Sequence, residues 1–256
     1  MTPLEIVEQI QLAERSAAIL IMEAHNIIAQ NKTDARNVVT QYDKAVQNEL
    51  VNYFTELFPN AHFFCEEMEK PESPKENDVF IIDPIDGTMN FVHGFNHSCI
   101  SVAYMTEGEV KAAAVFNPYS DEMFSAVKGY GAFLNGERIQ VDDCGLASSV
   151  CCVGTSPYRT DLQDDSFDII RKIFDASLDI RREGSAALDL CTVAAGRAGL
   201  YFELNLAFWD FAAGQLIAEE AGATVLTADG KEMPLDGSKT SIVAGGEKAV
   251  KEYFEL

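Results

Sequence analysis

The feature that most constrains this chain is the six-residue stretch 83–88 (DPIDGT), which directly follows the apolar run 79–82 (VFII). The apolar run predicts a buried strand. Proline lacks the amide hydrogen of a sheet ladder and glycine permits a sharp turn, so we expect the strand to stop before the proline. Asp83 and Asp86 would then project from one strand end into one cleft. Such paired carboxylates suit Mg2+, which prefers oxygen ligands.

The charge balance limits what the protein can bind. The 256 residues include 41 acids and 19 bases, which gives a net charge of −22. This charge opposes binding to nucleic acids or anionic membranes, so neither is expected as a partner. It would also repel a phosphorylated substrate unless bound cations reverse the local sign. Any phosphate chemistry is therefore expected to depend on metal ions.

The first thirty residues and the cysteines favour a cytoplasmic protein. Residues 1–30 place four glutamates between helically spaced apolar side chains, which a secretory signal would lack. No uncharged apolar run approaches the roughly 20 residues that span a bilayer. The six cysteines form no CxxC pair, and we expect reduced, mostly buried thiols.

Hydrophobic periodicity predicts two subdomains, 1–143 and 144–256, in an α+β protein. The first is antiparallel-rich, with predicted helices over 3–30 and 40–58, and strands over 62–65, 79–82, 98–105, 110–116 and 123–127. Thr40 is expected to cap the second helix in a capping box with Asp43, three positions on. In the second, strands and helices alternate. Its strands are predicted over 149–153, 178–182, 200–203, 223–226 and 241–244, and its helices over 165–176, 185–196, 210–221 and 246–254.

Acidic residues recur where apolar strands end or helices begin. The set is Glu66, Asp83, Asp86, Glu203 and Asp210, the last of which is expected to open a helix. Each position alone is ordinary, because acids favour helix starts and loop edges. Gathered in one cleft, they would repel one another and take up protons. Divalent cations remove that problem, and an all-oxygen ligand set favours Mg2+ over Zn2+.

The turn after Asp86 predicts an anion site. Residues 87–90 are expected to begin a helical turn, whose free backbone N–H groups would face a phosphate. The hydroxyl of Thr88 could orient a water, and Asp43 could accept a proton from that hydroxyl or from the water. The expected chemistry is in-line attack of water on phosphorus with paired metal ions and no covalent intermediate.

Two longer motifs make the chain resemble the inositol monophosphatase family of Mg2+-dependent, lithium-sensitive phosphomonoesterases. The first is matched by residues 79–94 (VFIIDPIDGTMNFVHG), and the second by 209–214 (WDFAAG), continuing through 219–223 (EEAGA). The pair Glu66-Glu67 and residues 39–43 also align. The resemblance covers nearly the full length. It implies a layered α-β-α-β-α sandwich with an antiparallel-rich N-terminal sheet and a mixed C-terminal sheet, and it implies a homodimer.

The resemblance also implies a role for each site residue. Two to three Mg2+ ions would bind, with Mn2+ as a possible substitute. A first ion would be held by Glu66, Asp83 and the carbonyl of Ile85, a second by Asp83, Asp86 and Asp210, and a weaker third would share Glu66. The catalytic residues would be Asp43, Thr88 and Glu66. Substrate would be bound by the Gly87 and Thr88 amides at the phosphate, and at its hydroxyls by Asp86, Gly184, Ser185, Ala186, Glu203 and Asp210.

Some positions depart from the family pattern or allow another interpretation. Cys65 replaces a usual glycine and Asn37 a common aspartate, which bears on the substrate more than on the chemistry. Lys32 falls where the family has a mobile loop lysine, although an ordinary solvated lysine is an equal alternative. His93 and His97 have a zinc-compatible spacing, but structural roles are expected because no HExxH motif is present.

The leading functional hypothesis is a Mg2+-dependent phosphatase for small sugar or polyol monophosphates, with inositol 1-phosphate first. Fructose 1,6-bisphosphate, the 2′-phosphate of NADP and 3′-phosphoadenosine 5′-phosphate are alternative substrates for the same metal centre, since fold does not decide among them. A different class of function is a non-catalytic interaction protein that keeps the scaffold. The complete ligand set disfavours that alternative.

Overall fold

The structure is a computed structural model that describes residues 1–32, 36–68 and 78–256. Helices in these ranges are α1 (Pro3–Met22), α2 (Gln41–Leu57), α3 (Thr88–His93), α4 (Gln163–Ala176), α5 (Ala186–Ala194), α6 (Phe208–Glu220) and α7 (Glu247–Tyr253). Strands are β1 (Ala29–Asn31), β2 (Val38–Thr40), β3 (His62–Cys65), β4 (Val79–Asp86), β5 (Cys99–Thr106), β6 (Glu109–Asn117), β7 (Glu122–Val127), β8 (Gly131–Leu134), β9 (Glu137–Ile139), β10 (Val150–Val153), β11 (Asp179–Arg181), β12 (Leu200–Leu206), β13 (Thr224–Leu226) and β14 (Thr240–Gly245).

The larger sheet has the order β3-β4-β5-β6-β7-β8-β9, and every pair except the parallel β3 and β4 is antiparallel. Successive residues of β4 face opposite sides of this sheet, as a strand requires. Phe80 packs under α1 and α2, where its ring stacks on Phe54 at 4.1 Å between centroids. Ile81 packs with α5 and α6 on the other side. The sheet is therefore covered by helices on both faces.

The smaller sheet has the order β11-β10-β12-β14-β13 and is mixed, with β10 parallel to β11 and β12 and the remaining pairs antiparallel. One face packs on α5 and α6, and the other on α4 and α7. The resulting order of layers is α1/α2, larger sheet, α5/α6, smaller sheet, α4/α7. This confirms the α+β layered α-β-α-β-α sandwich expected from the resemblance.

Several element bounds differ from the sequence expectation. Helix α1 ends at Met22 rather than near residue 30, because the chain then bonds to α2: Tyr42 accepts from the His25 amide at 3.0 Å and donates to the His25 carbonyl at 2.9 Å. Strand β4 continues through Pro84 to Asp86. The register shifts between Asp83 and Asp86, so the proline lies where the ladder is already interrupted.

Other differences are smaller. The hairpin β8–β9 was missed, although its Asn135-Gly136 turn is a strong hairpin signal. Helix α6 begins at Phe208, which makes Asp210 its third residue instead of its first. Strand β12 runs on to Leu206 with a register shift after Glu203. In the part of the chain that the structure describes, no helix is long and apolar enough to cross a lipid bilayer.

Candidate active site

A cleft of about 160 Å3 opens where the end of β4 meets the N-terminal ends of α3, α5 and α6. Its walls carry the five acids that the sequence singled out, together with the turn after Asp86. The predicted site residues that line it are Glu66, Asp83, Ile85, Asp86, Gly87, Thr88, Gly184, Ser185, Ala186, Glu203 and Asp210. Asp43 lies just behind this wall, bonded to Thr88.

The bulged end of β4 supplies the two aspartates. Asp83 is buried, and its Oδ1 accepts a hydrogen bond from the Ile85 amide at 3.1 Å, which holds the turn around Pro84. Burial raises the pKa of Asp83 well above its usual range, and the nearby charges of Glu66, Asp86 and Asp210 raise it further. Asp83 is thus the centre of the electrostatic repulsion.

Asp86 is held from the other half of the chain. Its Oδ2 accepts from the Ser185 hydroxyl at 2.6 Å and from the Ala187 amide at 2.7 Å, at the start of α5. Burial raises the pKa of Asp86 to about 6, although these two hydrogen bonds act in the opposite direction. The predicted substrate segment 184–186 therefore positions a carboxylate as well as lining the cleft.

Gly87 makes the turn between strand and helix possible. Its φ is +88°, a value that side chains rarely adopt, and a Cβ there would lie 3.1 Å from the His97 carbonyl oxygen and 3.2 Å from that of Gly184. Helix α3 begins at the next residue, as the sequence predicted. Gly87 and Thr88 line the cleft, and the start of α3 has no side-chain cap, which suits an anion.

Thr88 and Asp43 are brought together as predicted. The Thr88 hydroxyl lies 3.1 Å from Asp43 Oδ1 and 3.0 Å from the Ile85 carbonyl oxygen, either of which can accept its proton. Asp43 also closes the predicted capping box of α2, since its Oδ2 accepts from the Thr40 amide at 2.8 Å and hydroxyl at 2.5 Å. Burial raises the pKa of Asp43, against the effect of those Thr40 bonds. The carboxylate is therefore fixed and poised to accept a proton.

Glu203 is fixed by residues that the sequence did not single out. Its Oε1 accepts from the Ser156 amide at 2.9 Å and hydroxyl at 2.8 Å, and its Oε2 from the Tyr201 hydroxyl at 2.8 Å. A Cβ at Gly154 would come within 1.9 Å of this carboxylate, so a larger residue there would displace Glu203 from its present position. Tyr201 and Glu203 lie two residues apart on β12 and so share a face of the strand, a spacing from which their contact could have been predicted. The close approach of Gly154 to Glu203 could not be predicted from the sequence.

Glu66 and Asp210 complete the acidic wall. Asp210 accepts from the Ala207 amide at 2.6 Å, and burial raises its pKa well above the usual range, with Glu66 the next cause. Glu66 accepts a hydrogen bond from the Lys32 ammonium at 2.8 Å, and Glu67 shares the same ammonium. Burial disfavours the charged form of Lys32, yet the two glutamates raise its pKa. Lys32 is thus a site residue and not a solvated loop lysine.

The donor set fits hard cations in its chemistry. All the converging groups are oxygens, and several are carboxylates whose pKa values are raised by burial and then by one another's negative charge. Among the described residues, however, no three His, Cys, Asp or Glu side chains now stand close enough to hold one ion. Glu66, Asp86 and Asp210 each accept a hydrogen bond from a protein donor.

Residues with other expected roles lie outside the acidic wall. The ring of His97 lies 3.1 Å from Glu183, and within the described ranges the two histidines form no metal group. All six cysteines lie in described ranges and are free, and only Cys144 is not buried.

Asn37 lines the cleft beside Arg36, whereas Cys65 is fully buried beneath it. Further lining residues that the sequence analysis missed are Arg36, Tyr158, Arg182 and Asp189.

Fold and site define a class of protein: a layered α+β sandwich with an acidic cleft, beside a glycine turn that can bind an anion. The model of the Inositol monophosphatase family matches residues 4–255. The chain belongs to this family.

Three relatives represent the similarity. The chain is 36% identical over 252 residues to an inositol-1-monophosphatase of Rhizobium meliloti, covering 98% of this chain and 94% of the relative. It is 36% identical over 229 residues to the Nus factor SuhB of Vibrio cholerae, covering 89% and 86%. The solved structure of a dual-specific IMPase/NADP phosphatase bound with D-inositol-1-phosphate superposes with a TM-score of 0.85 at 25% identity, covering 100% of this chain and 96% of that one.

Proposed function

We propose that this protein is a Mg2+-dependent phosphomonoesterase for small sugar or polyol monophosphates, with inositol 1-phosphate as the first candidate. The observation that carries the proposal is the meeting of five acids with the Gly87–Thr88 turn in one cleft. An anion can be bound at the turn only if cations offset those acids, which makes a metal-dependent phosphate site the simplest use of both features.

The ions would be held by Glu66, Asp83, Asp86, Asp210 and the carbonyl of Ile85. When bound, Mg2+ supplies positive charge to the phosphate and to the departing oxygen. The Gly87 and Thr88 amides would bind phosphate oxygens. Mn2+ is a proposed substitute, and two to three ions are proposed per site.

The chain's own residues would prepare the water and the sugar. The Thr88 hydroxyl, fixed between Asp43 and the Ile85 carbonyl, would orient a water toward phosphorus, and Asp43 would take up its proton. Glu203, held by Ser156 and Tyr201, presents its carboxylate as a hydrogen-bond acceptor for a ring hydroxyl. Residues 184–186 complete that wall.

A phosphate-release assay with Mg2+ tests the proposal. We expect turnover of inositol 1-phosphate that EDTA abolishes and Mg2+ restores. The same panel should contain fructose 1,6-bisphosphate, NADP and 3′-phosphoadenosine 5′-phosphate. NADP is supported as an alternative by the relative described as a dual-specific IMPase/NADP phosphatase. Absence of release from every substrate, with folded protein and saturating Mg2+, would refute the phosphatase assignment.

A non-catalytic role is the second candidate, supported by the relative that is described as a Nus factor. In that case, a variant without hydrolysis would keep full biological activity.

We also propose two subdomains, 1–143 and 144–256, supported by the division of the two sheets between them. A homodimer and a cytoplasmic location are proposed from the family resemblance and from the free thiols. Light scattering would test the dimer.

A further inference from the structure

Two basic side chains stand at the rim of the acidic cleft. Among the described residues that line it, Arg36 and Arg182 are the basic ones. The Arg36 guanidinium donates to the Pro157 carbonyl at 2.7 Å. Arg182 is exposed to solvent. In a protein with a net charge of −22, placing two arginines at the mouth of this cleft requires a reason.

Arg182 differs from the other arginines of the chain. All eight arginines lie in the described ranges, and the other seven each bond to a carboxylate or a carbonyl. Their partners are Asp121 for Arg15, Pro157 for Arg36, Tyr130 for Arg138, Asp161 for Arg159, Asp175 for Arg171, Asp179 for Arg181 and Glu122 for Arg197. Arg182 forms no hydrogen bond or ion pair with the described part of the chain. Its five donors are available to a ligand.

The backbone beneath Arg182 ties it to the phosphate turn. Asn90 of α3 donates to the Glu183 carbonyl and to the His97 carbonyl, each at 2.7 Å, which fixes the segment that follows Arg182. A Cβ at Gly184 would lie 2.4 Å from the Arg182 guanidinium, so this group covers Gly184. The carbonyl of Gly184 in turn packs against Gly87. Arg182 is therefore separated from the phosphate turn by a single residue.

We propose that Arg182 binds a second phosphate group of the substrate and extends the substrate range of the cleft to bisphosphorylated compounds. The inference rests on the proposed phosphatase function. The scissile phosphate would occupy the turn at Gly87, where metal ions offset the acids. A second phosphate would reach past those ions and be repelled by the acidic wall, except at the rim. There the planar guanidinium of Arg182 matches two phosphate oxygens in a bidentate arrangement.

The test compares paired substrates that share the scissile ester and differ in the second phosphate. Suitable pairs are fructose 1-phosphate with fructose 1,6-bisphosphate, and adenosine 2′-phosphate with adenosine 2′,5′-bisphosphate. For Arg182→Gln we expect kcat/KM to fall about 10- to 100-fold for each bisphosphate, mainly through KM, as for the loss of one charged hydrogen-bond pair. For each monophosphate we expect a change of less than about twofold. Arg182→Lys, which keeps the charge but loses the bidentate geometry, should lie between these values.

Arg171→Gln is the matched control, because Arg171 is also exposed and its loss changes the net charge equally, but it pairs with Asp175 on α4. It should leave both members of each pair unchanged. If Arg182→Gln lowers kcat/KM equally for mono- and bisphosphates, or if the wild-type protein hydrolyses only the monophosphates, the inference is wrong while the phosphatase assignment stands. If the wild-type protein releases phosphate from none of them, the proposed function itself fails.

Discussion

Replacing Asp86 with asparagine should stabilise the metal-free protein at neutral pH while removing its activity. Asp86 is buried, and its carboxylate has a pKa of about 6 against an ordinary value of 3.8. A difference of about two pKa units corresponds to ~3 kcal/mol of destabilisation by the ionised form. Asparagine resembles the protonated acid in shape and charge. Its Oδ1 can still accept from Ser185 and Ala187.

The pH dependence follows from the direction of the shift. Because the folded-state pKa is raised, Asp86 is protonated in both states below pH ~4 and costs nothing there. Between about pH 4 and about pH 6 the carboxyl is ionised in the unfolded chain but still protonated in the folded protein, so the free energy of unfolding falls, and it levels off once the folded group has also ionised. Asp86→Asn should therefore be nearly neutral at pH 4 and more stable than wild type by up to about 3 kcal/mol at pH 8.

Urea unfolding in EDTA between pH 4 and 8 measures this difference. Added Mg2+ should stabilise the wild type by mass action and the variant much less, since one anionic ligand is missing. Asp168→Asn is the matched control, because Asp168 is exposed on α4 away from the cleft. Equal stability curves for wild type and Asp86→Asn at every pH, or a variant that is destabilised most at pH 8, would refute the reasoning.

Two further substitutions probe other parts of the site. Thr88→Ala should lower kcat by about 100-fold or more with little change in KM, because the hydroxyl between Asp43 and the Ile85 carbonyl is lost; Thr88→Ser should restore most of the rate, and steady-state kinetics that show no difference between the two variants would contradict the water-orienting role. Gly154→Ala should raise KM for inositol 1-phosphate about tenfold, because its methyl group displaces the Glu203 carboxylate from Ser156. Mg2+ affinity measured by calorimetry should stay unchanged in that variant, and a parallel loss of Mg2+ binding would show that the damage extends beyond the sugar wall.

Much of this architecture could be predicted because local signals and the global fold agree. Strand β3 was predicted residue for residue, since His62–Cys65 lies between a helix-ending proline and an acidic pair. The capping box of Thr40 and Asp43 was legible from spacing alone. The end of α1 was not predictable from local sequence. The His25 amide bonds to the Tyr42 hydroxyl, seventeen residues away, instead of continuing the helix.

Pro84 shows how a sound local rule can fail. Proline does remove a ladder donor, yet β4 continues past it because the strand is bulged at that point. The bulge places both Asp83 and Asp86 at the cleft. The sequence-based expectation was wrong about the strand end but reached the right position for the carboxylates, since either geometry ends the regular ladder at Asp83.

What no local pattern could reveal is how the second half of the chain restrains the first. Asp86 depends on Ser185 and Ala187, about one hundred residues further along the chain, and Gly87 depends on the carbonyl of Gly184. One short segment at the start of α5 thus orients a carboxylate, shapes the anion turn and, through Arg182, sets the positive charge of the rim. Because the first two tasks share a few residues of backbone, changes at residues 184–187 should alter metal affinity and substrate choice together, whereas changes at Arg182, or at Glu203 and its partners, should alter substrate choice alone.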